Sequence, residues 1–148
     1  MSNRGLTYIE ILVVVVMVSI LTLAAIPLAK NTIKREKEIE LRRNLRIIRT
    51  AIDEYKKAAD KKEFDYDEDT YGYPPDLETL VKGVKTKKGK ILKFLRRIPK
   101  DPMTKDGEWG LRSYQDERDS EVWGGENVYD VYSQSREKGL DGTKYNEW

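Results

Sequence analysis

The sequence predicts an α+β chain in which one long N-terminal α-helix packs on a small antiparallel β-sheet head. Three observations predict it. Residues 11–29 carry no charge, and their only interruptions are Ser19, Thr22 and Pro27. Residues 28–71 contain neither Gly nor Pro, so nothing local stops a helix once it has begun. Beyond residue 71, glycines, prolines and short alternating apolar segments take over, as in a small mixed domain.

At about 1.5 Å per residue, the uncharged run nearly matches a hydrocarbon core of roughly 30 Å, which predicts a membrane-spanning helix. An ordinary secretory signal would be shorter and end in a small-residue cleavage site. Here a polar leader of residues 1–5 precedes the run, and the run passes directly into a second helical pattern. Glu10 stands at its head. A carboxylate beside a bilayer core is penalised by about a few kcal/mol, so it calls for a partner or a task. Two readings stand open: a buried ion pair that fixes register, or a first-turn charge that complements the helix dipole near the headgroups. Pro27 lacks a backbone donor and clashes with the preceding turn, at about 3 kcal/mol in a helix interior. It is either a tolerated kink or a point of helix flexibility where the helix melts when subunits repack.

The next segment is amphipathic. Ile33, Leu41, Leu45, Ile48, Ile52, Tyr55 and Ala59 recur mostly at four- and three-residue steps, a narrow stripe along one continuous helix from about residue 7 to residue 61. In the head, Asp76 reads as an N-cap before Leu77, Leu80 and Val81, with Gly83 as the stop of a short helix. Residues 109–114 and 128–133 alternate like strands, and a two- or three-stranded antiparallel sheet over the helix would cover residues 45–59. Trp109, Tyr114, Trp123, Tyr129, Tyr132, Tyr145 and Trp148 read as core and interface anchors, with no nucleotide-reading pattern.

Composition narrows the function. Among 148 residues there is no cysteine and no histidine, which removes disulfides, thiolate chemistry and the commonest general base and metal ligand. No nucleophile triad or metal-ligand cluster remains to argue for an enzyme. Net charge is only +2, which does not suggest nucleic-acid binding, but the signs are segregated. Residues 30–62 hold twelve bases and six acids, residues 63–80 seven acids and no base, and residues 81–100 nine bases and no acid. The acidic block of one copy facing the basic block of another, or two solvated faces that never meet, both fit this pattern. Asp65, Asp67 and Asp69 imitate the start of a calcium-binding EF-hand loop, but Thr70 replaces its Gly and Asp76 its Glu, so the stretch reads as a solvated acidic loop.

Residues Gly5, Leu6, Thr7, Tyr8, Ile9 and Glu10 resemble the class III signal junction of type IV pilins and type II secretion pseudopilins, and Pro27 falls where many members carry proline. Leu6 stands where that family usually has Phe or Met, and Tyr8 where Leu is frequent. "IPKDP", "VYDVYS" and the closing "LDGTKYNEW" resemble, in that order, the head of the major pseudopilin. The lack of cysteine leans the same way, since type IV pilins commonly close a C-terminal loop by a disulfide.

The resemblance implies a pilin-like fold and a structural role. A prepilin peptidase would cut between Gly5 and Leu6 and methylate the new amine, which would pair with Glu10 of a neighbouring subunit. The chain would divide into a leader (1–5), a transmembrane and polymerisation helix (6–29), its amphipathic continuation (30–62) and a globular head (63–148). It would be a single-pass protein of the bacterial inner membrane with its head in the periplasm. A count of flanking charges, Arg4 before the run and Lys30, Lys34 and Arg35 after it, favours the opposite orientation. The polymer would be a periplasmic pseudopilus driving protein export, with an inner-membrane assembly platform, its ATPase and minor pseudopilins as partners. Surface pili for adhesion, motility or DNA uptake are the alternative, and an unprocessed membrane-anchored binding module is another. The last loop of that family often binds calcium, and Asp141 is the matching residue here.

Overall fold

A computed structural model describes residues 7–148, with the side chains of residues 24–29 excepted. It is α+β, with one long helix and two small antiparallel sheets. Helix α1 (Tyr8–Asp60) is 53 residues long, the continuous helix that the absence of Gly and Pro after residue 27 predicts. The chain divides into two compact units, the first ending at Glu36 and the second spanning Lys37–Trp148.

In the first unit the described side chains of the apolar run are exposed, from Tyr8 at 82% through Val15 at 57% to Leu23 at 70%. The two hydroxyls in the run turn inward on their own helix. Ser19 Oγ donates to the Val15 carbonyl at 2.7 Å and Thr22 Oγ1 to the Val18 carbonyl at 2.8 Å, which satisfies both donors without water. Among the described residues no helix is long and apolar enough to cross a membrane. Pro27 lies within α1, and its side chain is outside the described residues.

The second unit is organised by the stripe. Leu41, Leu45, Ile48, Ile52, Tyr55 and Ala59 are all buried, joined by Ala51 and Ala58. Ile33, expected on the same stripe, belongs to the first unit and is exposed. Against the stripe pack Phe64, Leu77, Leu80, Leu95, Trp109, Val128, Val131 and Tyr145. A 3-10 turn (Glu68–Thr70) leads to α2 (Leu77–Lys82), where Asp76 accepts from the Thr79 amide at 2.6 Å and from its hydroxyl at 2.7 Å. Gly83 ends α2, as the sequence predicts.

The sheet differs from the expectation of one layer. Strand β1 (Val84–Lys85) pairs with β2 (Ile91–Leu92), and β3 (Trp109–Arg112) pairs separately with β4 (Asp130–Ser133). In the second pair Trp109 faces Ser133 and Gly110 faces Tyr132. A Cβ on Gly110 would lie 2.3 Å from the Tyr132 ring, so only glycine lets that ring lie across the sheet. The lysine-rich β1–β2 ribbon exists because its turn is built from polar bonds. Thr86 Oγ1 donates to the Lys90 carbonyl at 2.9 Å, and Gly89 supplies a positive φ. A final 3-10 turn (Tyr145–Glu147) buries Tyr145 against the core.

Candidate functional site

Two regions carry the residues that the sequence singles out. The first is the start of α1. Gly5 and Leu6 lie outside the described residues. The Thr7 amide donates to Glu10 Oε2 and the Glu10 amide to Thr7 Oγ1, both at 3.4 Å. This reciprocal exchange is a capping box, satisfying donors that the first helical turn leaves open. Both bonds are long for their type, so the exposed Glu10 carboxylate keeps acceptor capacity for another partner. Its negative charge also complements the dipole of α1.

The second region is the C-terminal loop, which a face of α1 fastens down. Glu38 Oε1 accepts from the Leu140 amide at 2.7 Å and from the Tyr145 hydroxyl at 2.9 Å. One turn on, Arg42 donates to Asp141 Oδ2 at 3.1 Å while its guanidinium stacks 4.1 Å over the Trp148 ring. Further along, Arg49 forks onto Asp130 at 2.6 and 3.2 Å and reaches the Trp148 carbonyl at 2.8 Å. Such planar, bidentate geometry suits arginine and not lysine. Asp141 Oδ1 accepts from the Thr143 amide at 3.0 Å and its hydroxyl at 2.6 Å, and Thr143 in turn accepts from the Trp148 indole at 2.6 Å. A Cβ on Gly139 would fall 2.7 Å from the Trp148 ring and 2.9 Å from Asp141, so the loop closes only around a glycine.

Titration follows these contacts. Burial, then the hydrogen bond to Glu38, pushes the Tyr145 phenol far above its ordinary value. Burial likewise raises Tyr55, with Asp76 adding to it. Hydrogen bonds from Thr143, with the Arg42 charge behind them, hold the Asp141 carboxyl below the usual carboxylate range.

For calcium the fit is poor. Among the described residues no three His, Cys, Asp or Glu converge on one point. Residues 139–144 supply one carboxylate, that of Asp141, both of whose oxygens are engaged, whereas calcium takes roughly six to eight oxygen ligands. A guanidinium sits where a cation would approach. Asp65, Asp67 and Asp69 do not form a cage either: Asp65 pairs with Lys87 at 3.1 Å, and Asp67 caps the 3-10 turn. That Lys87 pair also shows the acidic and basic blocks meeting within one chain, where the Lys87 amide donates to the Glu63 carbonyl at 2.9 Å.

Glu38, Arg42 and Arg49 fasten the C-terminal loop, a role that the apolar stripe alone does not reveal. Their signal is spacing: they flank Leu41, Leu45 and Ile48 at helical intervals, so they border the buried face. No protein-family model, curated protein or solved structure matches this chain.

Proposed function

We propose that the chain is a structural subunit, similar to a major pseudopilin, that a prepilin peptidase processes between Gly5 and Leu6 and that then polymerises through its N-terminal helix. The assembled filament is a periplasmic pseudopilus of a type II secretion-like system, and its growth from the inner membrane drives export of protein cargo. The observation that carries the reading is the first part of α1. From Tyr8 to Leu23 it exposes apolar side chains all round, and Glu10 is its one carboxylate. A helix apolar on every face needs lipid or other helices around it. In such surroundings Glu10 needs a countercharge, and the capping box engages it only through long bonds. The amine of Leu6 on a neighbouring copy supplies that charge after cleavage. Two opposite charges buried together recover much of each other's desolvation penalty and set the axial register.

The test pairs two measurements on the native protein. An intact mass should show loss of residues 1–5 and addition of a methyl group, and electron microscopy should show filaments. Glu10→Ala should abolish or severely shorten them while leaving the fold of Lys37–Trp148 intact. An uncut N-terminus, or filaments indifferent to Glu10→Ala, would overturn the reading.

A further inference from the structure

The structure leaves one strongly charged surface unassigned, the ribbon of β1 and β2. Residues 82–97 carry eight Lys or Arg side chains and no acid, and all eight are exposed. Among the described residues only Lys87 of these eight meets a carboxylate, that of Asp65. The ribbon holds its shape without a partner. The Thr86 hydroxyl donates to the Lys90 carbonyl and accepts from the Lys90 amide, and the Gly89 amide closes the turn onto Thr86 at 2.8 Å.

A complementary surface lies on the same chain. Asp65, Asp67, Glu68 and Asp69 project into solvent from the 3-10 turn. That turn is fixed by the Asp67 side chain on the Asp69 amide at 3.3 Å and by the Thr70 hydroxyl on the Asp67 carbonyl at 2.6 Å. Among the described residues neither Glu68 nor Asp69 meets a cation. Both surfaces are therefore set before any encounter, so little ordering entropy opposes their meeting.

We propose that the β1–β2 ribbon of one copy docks the acidic turn, residues 67–69, of a second copy. This rests on the polymer reading and adds to it a contact between heads. The Lys87–Asp65 pair shows that the two chemistries match, and it uses one of eight bases, leaving Lys85, Lys88, Lys90 and Lys93 for another carboxylate source. Because the two patches are different surfaces of one molecule, their contact is heterologous and repeats from copy to copy without closing on itself as a two-fold pair does. Exposed pairs are screened over about 8 Å at physiological ionic strength, so salt weakens the contact.

The test uses the full chain in membranes of cells that coexpress two variants. The protein has no cysteine, so single thiols report proximity directly. Lys88→Cys on one chain and Glu68→Cys on another should give a cross-linked heterodimer, with neither variant alone giving a homodimer. High salt should lower the heterodimer yield by about tenfold, the combined effect of a few exposed pairs. Reversing Lys85, Lys88 and Lys90 to Glu should reduce sedimentable filament, and adding the reversal of Glu68 and Asp69 to Lys, which spares the Asp67 cap, should restore it. No heterodimer, homodimers of either single variant, or no restoration by the double reversal would overturn the contact. Filaments that persist without the cross-link would sink this contact alone, whereas a cross-link without filaments would sink the polymer reading and keep the contact.

Discussion

The two parts of α1 have opposite relations to solvent although they share one unbroken backbone helix. Up to Glu36, the described apolar side chains are exposed, and the hydroxyls of Ser19 and Thr22 bond to carbonyls of their own helix. From Lys37 onward, apolar residues recur on one face, are buried, and are flanked by side chains that bond to residues about a hundred positions away. The second part is held by contacts written into this chain, since burial of its stripe supplies the stability that helix propensity alone does not. The first part has propensity and a capping box but no core of its own among the described residues; in the proposed polymer, lipid or other copies would surround it. One unbroken helix thus carries two different patterns, an amphipathic one that this chain buries and an apolar one that it leaves exposed.

The largest expected effect separates these two specifications directly. Ile48 is fully buried, and Ile48→Ala leaves a cavity that should destabilise the second unit by about 2–5 kcal/mol. Val15→Ala, on the exposed run, should change that stability by less than about 0.5 kcal/mol. All three tryptophans lie beyond residue 100, so their fluorescence in a denaturant titration reports the second unit alone. Equal losses from the two variants would erase the distinction between the parts.

A smaller effect is expected from the fastening of the C-terminal loop. Glu38→Ala removes the acceptor shared by the Leu140 amide and the buried Tyr145 hydroxyl, at about 1–3 kcal/mol. With Tyr145→Phe already present, one of the two donors is gone, so Glu38→Ala should have a reduced effect in a double-mutant cycle. The same contact predicts alkaline sensitivity. Tyr145 has a folded-state pKa raised above its unfolded value, so its contribution is complete below about pH 10 and is lost as pH rises through the folded value. Tyr55 shifts the same way, and thermal melting should therefore fall above about pH 10, less steeply in Tyr145→Phe.

What was legible in the sequence follows from the range of the forces involved. The stripe from Leu41 to Ala59, the Asp76 cap and the Gly83 stop depend on neighbours within a few residues, and each is where the pattern predicts it. Strands β3 and β4 lie within the two alternating segments. The division into two sheets was not legible, because β1 and β2 lie in a lysine-rich stretch of low strand propensity and depend on a side-chain turn at Thr86. Glu38, Arg42 and Arg49 were equally hidden. A charged residue beside an apolar stripe looks solvated until the fold brings a loop from far along the chain onto it. Asp141 was legible as a loop residue, but its partner was not: Arg42, ninety-nine positions away, meets its carboxylate.

That contact between Arg42 and Asp141 leads to the smallest predicted effect. Asp141 has a folded-state pKa lowered first by the Thr143 bonds and then by Arg42, so its contribution is present above the unfolded value of about 4 and is lost as pH falls through the folded value. The residue is exposed, and water screens much of its interaction with Arg42. Asp141→Asn should therefore lower the melting temperature only slightly at neutral pH, and the two melting curves should converge as the pH falls below the ordinary carboxylate range. If the gap stayed constant into acid, the carboxylate charge would have no part in holding the loop. If calcium raised the melting temperature of the native chain but not of Asp141→Asn, a metal would be replacing Arg42 on the carboxylate, and the fastening by α1 would be only one of the loop's two states.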